Sequence, residues 1–186
     1  MRAVAQILPV LALALAVAAP AAAELRISDL DVFLNDHEVT VHVILLGAVP
    51  LEFHESLHSG IPAHVKYSIE LWQYNRLRPD RRLHRAVVER ALSYNVVTKE
   101  YKVTTLRGEK RAPHSTRELR DAQRVISEAR GIKLTPAITL DPADIFYVRI
   151  HAQAALNGEN SWVARMSGAA MQTSRQSDYR SILRVQ

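Results

Sequence analysis

Strict alternation of apolar and polar residues is the feature that most constrains the fold of this chain. It is longest from Ile145 to Leu156. There Phe146, Val148, Ile150, Ala152, Ala154 and Leu156 share one parity, while Tyr147, Arg149, His151 and Gln153 share the other. A period of two fits a strand with one buried face, and on a helix it would scatter the apolar residues around the axis. The same period runs from Ala63 to Tyr74, with Val65, Tyr67, Ile69 and Leu71 opposite His64, Lys66, Ser68 and Glu70. It recurs through Val39, Val41, Val43 and Leu45. The first strand, Leu25 to Leu34, changes phase midway, which predicts a β-bulge near Ser28-Asp29. Asn35-Asp36-His37 reads as the turn that pairs it with the strand after it.

Further along, Arg76 to Arg85 reads as a basic turn around Pro79-Asp80. Ala86 to Ser93 and Thr98 to Leu106 read as a second hairpin about Tyr94-Asn95. Ile132 to Leu140 reads as extended, with Pro136 confining it to a sheet edge or a bulge. Tyr179, Ser181, Leu183 and Val185 mark a last strand, and Ser161 to Met171 fits neither period. Two helices interrupt the pattern. A short one is expected over about 50–59, burying Phe53 and Leu57 four residues apart. A longer one is expected over about 115–130. Ser115 and Glu118 have the spacing of a capping box, Leu119, Ala122, Val125, Ile126 and Ala129 form an apolar stripe, and Gly131 stands at the stop. Seven or eight strands in adjacent pairs predict antiparallel hairpins: a mainly β fold, either a β-sandwich or a curved sheet, with the longer helix as a crossover.

The chain has 186 residues and no cysteine, so its fold rests on a core without disulfide support. Residues 1–23 read as a signal peptide: Arg2, an apolar run from Ile7 to Ala18, and Ala21-Ala22-Ala23 before Glu24. The run is shorter than the roughly 20 residues that span a bilayer, so cleavage is expected, with no later transmembrane segment. The remaining residues, 24–186, suit a single β-rich domain, exported and periplasmic if the source is Gram-negative. The net charge of +5 is mildly basic. It favours acidic protein or other anionic envelope partners, and an exported chain is a poor match for nucleic acid.

The segment His54-Glu55-Ser56-Leu57-His58-Ser59-Gly60-Ile61-Pro62-Ala63-His64 admits two readings. By spacing it is HExxH with a third histidine six residues on. Two histidines on one helix face would share a zinc ion, and the glutamate would act as base on its water. By local structure it is a short helix stopped by Gly60-Ile61-Pro62 and leading into a strand. The second reading is preferred. In a chain with 8 histidines, HExxH arises by chance on the order of 2 times in 100. Ile61 stands where the longer zinc pattern has glycine, and His64 falls on the polar side of the next strand. His54, Glu55, His58 and His64 thus define an alternative metallohydrolase site beside the first choice, a non-enzymatic binding or accessory module for an envelope or signalling protein that needs no cofactor. No GxSxG elbow and no glycine-rich phosphate loop is present.

Basic residues group at Arg76, Arg78, Arg81, Arg82, Arg85 and Arg90, and again at Arg107, Lys110, Arg111, Arg117, Arg120 and Arg124. Trp72 and Tyr74 precede the first group on the polar face of their strand. Aromatic side chains beside arginine make a binding-surface signal. The expected binding residues are Trp72, Tyr74, Arg76, Arg78, Arg81, Arg82 and Arg85. A further alternative is a carrier that holds an apolar ligand inside the sandwich.

Several short motifs carry a family resemblance: Leu25-Arg26-Ile27-Ser28, the Ser59-Gly60-Ile61-Pro62 junction, Tyr94 with Thr98-Lys99-Glu100-Tyr101-Lys102-Val103, Asp121-Ala122, and Gly131-Ile132-Lys133-Leu134. In these the chain resembles the exported bacterial family termed domain of unknown function 4390. That family has no established activity, so the resemblance carries over no catalytic residue. It implies an extracytoplasmic accessory role. It includes the Gly-Ile-Pro junction but not His54, Glu55 or His58.

Overall fold

The computed structural model describes residues 24–34, 37–158, 166 and 170–180. Strands β1 (Arg26–Leu34) and β2 (Glu38–Leu46) come first, then helix α1 (Glu52–His58). Strands β3 (Ala63–Gln73), β4 (Arg81–Asn95), β5 (Glu100–Arg107) and β6 (His114–Thr116) follow in a row. Helix α2 (Leu119–Ser127) runs directly into β7 (Glu128–Pro136), and after a 3-10 turn come β8 (Phe146–Leu156) and β9 (Ala170–Gln176).

The strands form two antiparallel sheets, neither closed. One has the order β1-β2-β7 and the other β6-β5-β4-β3-β8-β9. The expected mainly β fold of antiparallel hairpins, a β-sandwich or curved sheet, is therefore present. Its layers follow from strand parity. Val39, Val41, Val43 and Leu45 of β2 are buried against Val65, Tyr67, Ile69 and Leu71 of β3 and Val148, Ile150 and Ala152 of β8 in one apolar core. The three-stranded sheet is too narrow to cover all six strands opposite. The helices close the remainder: Phe53 and Leu57 of α1 are fully buried, as are Ala122 and Ile126 of α2.

The β1 bulge falls between Ile27 and Asp29, where the phase change placed it. β7 lies at a sheet edge, as its proline required, but ends at Pro136, and the extension expected to Leu140 gives way to a 3-10 turn at Ala137–Thr139. Gly60, with φ +91, makes the turn between α1 and β3.

Three expectations need correction. First, α2 spans nine residues rather than about 115–130. Ser115 is drawn into β6 by pairing with Lys102, so no capping box forms. The Thr116 hydroxyl instead accepts the Glu118 N–H at 3.2 Å. At the other end Glu128 is already extended, and Gly131, with φ +69, sits where β7 carries an extra residue opposite β2. Edge pairing with β2 has overridden the helical stripe, taking Ala129 into a strand.

Second, Arg81, Arg82 and Arg85 belong to β4, not to a turn. Pairing of Gln73 with Arg81 extends β3 and β4 together beyond the apolar stretch. Third, Arg90 is not a surface residue. It shares parity with Val88 and Leu92 and is fully buried. One Nη donates to the carbonyls of Val125, at 2.8 Å, and Glu128, and the other pairs with the Glu109 carboxylate at 2.5 Å. The Tyr67 hydroxyl donates to the Ile126 carbonyl at 2.8 Å. The last turn of α2 thus delivers its free carbonyls to a buried cation and a phenol. This satisfies acceptors that a helix C-terminus leaves over and opposes its partial negative charge. Burial drives the Tyr67 phenol pKa well above its ordinary value. Gly108 brings Glu109 to Arg90: at φ +91 a Cβ there would lie 2.0 Å from the Val87 carbonyl oxygen.

Part of the sequence reading falls outside the described residues. That holds for residues 35–36 of the first turn and for 181–186 of the expected last strand. In the ambiguous segment only Met166, Ala170 and Met171 are described, and Ala170 opens β9.

Candidate functional site

The outer face of the six-stranded sheet carries an organised set of polar and aromatic side chains. Parity assigns them. Glu70 and Trp72 of β3 stand opposite Arg85 and Arg82 of β4 on one side and Arg149 and Tyr147 of β8 on the other. The Trp72 and Tyr147 rings stack at 6.3 Å with only 8° between planes. The Arg149 guanidinium lies 5.0 Å from the Trp72 centroid, and that of Arg82 lies 5.9 Å from it. Contacts of this kind are attractive because the ring face is electron-rich. The aromatic row continues from Tyr147 to Tyr179 at 5.3 Å and from Tyr179 to Tyr74 at 5.1 Å.

Hydrogen bonds fix this row. Glu70 accepts from Arg82 at 2.9 Å and from the Trp72 indole at 3.1 Å, and Arg85 donates to Ser68 at 2.9 Å. The Tyr147 hydroxyl donates to Asp80 at 2.8 Å, and Asp80 also accepts the Asn75 N–H at 3.0 Å. The two Asp80 bonds, that from the Asn75 N–H being the stronger influence, hold its carboxyl pKa below the ordinary 3.8. Burial, and then the bond to Asp80, push the Tyr147 phenol up to about 12. Asp80 thus ties the loop 75–80 to the sheet, while Gln73 is held by Asp144 at 2.6 Å.

Of the expected binding residues, the structure brings Trp72, Tyr74, Arg82 and Arg85 into this network. Arg76, Arg78 and Arg81 lie exposed beside it, without an ion pair among the described residues. Leu77, at 93% exposed, stands between two of them. Tyr147, Arg149 and Tyr179 belong to the same surface. The alternation of β8 already marked Tyr147 and Arg149 as polar-side residues. That β8 lies beside β3 was the missing fact, because 72 residues separate Gln73 from Phe146 and turn signals name only the neighbours within a hairpin. Arg120 and Arg124 of the second basic group stand apart from Arg82 and Arg85, whereas Arg90 of the first group reaches the end of α2 from inside. Arg120 and Arg124 lie near α1, at the opposite end of β3, and an 11-residue strand runs about 35 Å.

The residues with HExxH spacing are dispersed. His58 accepts from or donates to the Tyr101 hydroxyl at 2.8 Å and packs edge-on against Tyr94. Both tyrosines share parity with the buried Leu92 and Val103, on the inner side of the sheet. His64 has the opposite parity on β3 and faces Glu89 at 3.8 Å. His54 approaches Gln123 at 3.4 Å. Among the described residues no group of three or more His, Cys, Asp or Glu is gathered closely enough to hold a metal ion. A cavity of about 490 Å³ lies between β2 and α2, not between the two sheets. No described helix is long and apolar enough to cross a membrane.

No curated protein and no solved structure matches the chain. The family model described as Domain of unknown function (DUF4390) matches residues 22–158, which include β1 to β8. The aromatic–arginine face draws on both the matched region and the segment after it, since Tyr179 follows residue 158. The matched span covers most of the chain, and the protein therefore belongs to the DUF4390 family of domains of unknown function.

Proposed function

We propose that this chain is an exported, non-enzymatic binding module that holds an acidic segment of an envelope protein on its aromatic–arginine face. One observation carries the reading. Arg82 and Arg149 are held against the Trp72 ring, beside a continuous row of four aromatic rings. Arginines held in place lose less side-chain entropy when they meet a carboxylate, and their planar forks suit bidentate pairing. Arg76, Arg78 and Arg81 extend the cationic surface, and Leu77 offers an apolar contact at its edge. Glu70, Asp80 and Asp144, the carboxylates within the hydrogen-bonded network, are already engaged. Export is supported by the leader-like residues 1–23.

The test is crosslinking in intact cells from a photoreactive residue at Leu77, followed by mass spectrometry. The expected product is a specific envelope protein joined through an acidic segment. It should be lost when Arg76, Arg78 and Arg81 are all changed to Glu, and binding should weaken with salt. Equal crosslinking by the triple variant would reject this surface.

A further inference from the structure

The cavity between β2 and α2 arises from the direct passage of α2 into β7. β7 pairs with β2 as far as Ile44 opposite Glu128. Before Glu128 the chain is helix, and it cannot continue the ladder. The β2 edge and the chain beyond it therefore diverge from α2, leaving the space of about 490 Å³ in the fork. That volume lies in the range of small-molecule sites, about 300–1,000 Å³.

The two walls differ in character. Ile44, Leu45, Ala48 and Val49 form an apolar side, and the last three belong to the buried core. The α2 side presents Arg120 and Arg124. Arg124 is bound to Asp121 at 2.7 Å, and Asp121 is bound in turn by His114. Arg120 is exposed and has no carboxylate partner among the described residues. The carboxylate that also lines the fork, Glu128, is engaged by Arg130 at 3.1 Å. Gln123 crosses the base of the fork and donates to the Val49 carbonyl at 3.1 Å, fixing the spacing of the walls.

We infer that this fork binds a small amphipathic anion, an acyl chain whose carboxylate or phosphate head meets Arg120 and whose tail lies along Ile44 to Val49. Charge complementarity selects the head. Arg120 has open donor capacity at the rim, whereas no uncompensated acidic group lines the cavity to receive a cation. The apolar wall selects the tail. The site lies at the opposite end of β3 from the aromatic–arginine face, so the two can be tested separately.

The experiment is calorimetric titration of the purified protein, below micelle-forming concentrations, with dodecanoate, dodecyl phosphate and dodecyltrimethylammonium. One-to-one binding of either anion, with none of the cation, is expected. Preference between the two anions identifies a carboxylate or a phosphate head. Arg120→Glu should weaken anion binding about tenfold or more, since a charge-assisted hydrogen bond is replaced by repulsion. Arg120 is exposed, so circular dichroism should remain that of the parent. A second variant, Ser127→Trp, places bulk in the fork and should also remove binding. Equal binding of cation and anions, binding of neither anion, or unchanged affinity in Arg120→Glu would overturn the inference.

Discussion

The two faces of β4 use the same residue type for opposite ends. On the inner face Arg90 is fully buried, its donors directed at the end of α2 and at Glu109. On the outer face Arg82 and Arg85 are half exposed and lie over Glu70, Ser68 and Trp72. Only parity and the β3–β4 bulge separate them along the strand. A buried cation commits its charge to the fold, because removing its partners leaves groups that water cannot reach. An exposed one contributes little to stability and stays available to another molecule.

Removing the inner arginine should have the largest effect. Arg90→Ala strands the Glu109 carboxylate and the α2 carbonyls, with an expected loss of about 3–5 kcal/mol in urea unfolding. A loss below about 1 kcal/mol would break the distinction between the two faces. Gly108→Ala tests the same assembly from the backbone. Its Cβ would displace the Val87 carbonyl, and about 1–3 kcal/mol should be lost as the Glu109 contact shifts. On the outer face Arg82→Ala should change stability by less than about 1 kcal/mol while weakening partner binding. If it destabilises as much as Arg90→Ala, the outer network is structural as well.

Acid should loosen the Asp80 tie on the outer face. The Asp80 pKa is lowered in the folded state, so its contribution is complete above the unfolded value near 3.8. That contribution fades as pH falls from there through the lower folded value. Amide protection factors in the loop 75–80, taken relative to intrinsic exchange at each pH, should therefore fall on acidification before those of the core around Arg90. The smallest effect is expected for His54→Ala, within about 0.5 kcal/mol, because the polar contact of its side chain among the described residues is a 3.4 Å approach to Gln123. A larger change, or loss of stoichiometric zinc from the purified protein, would revive the HExxH reading.

Side-chain parity and the hairpin pairs β1–β2 and β4–β5 were legible from the sequence; the partnership of strands distant in the chain was not. The alternation in β2, β3 and β8, the β1 bulge and the buried pair Phe53 and Leu57 all follow from local periodicity, which each segment carries within itself. Arg90 was grouped with Arg81 and Arg82 because charge suggests exposure, although its spacing from Val88 and Leu92 already placed it inward. The ends of α2 were misread because capping signals compete with strand pairing. Ser115 and Gly131 have the composition of caps, yet β5 and β2 claim them. The aromatic–arginine face needed Tyr147 and Arg149 to lie beside Trp72, and only the order of the strands provides that.

The segment after residue 158 has a consequence at the other edge of the molecule. Arg175 donates to the carbonyls of Ile27, at 3.2 Å, and Ser28, at 2.9 Å, while Arg180 donates to that of Val32 at 3.0 Å. These acceptors lie along β1, an outermost strand, and such strands are templates on which a second chain can polymerise. Two guanidinium groups occupy those positions as a latch. A chain cut at residue 158 would keep the family-matched span but lose both the latch and β9, leaving β1 and β8 as open edges for self-association.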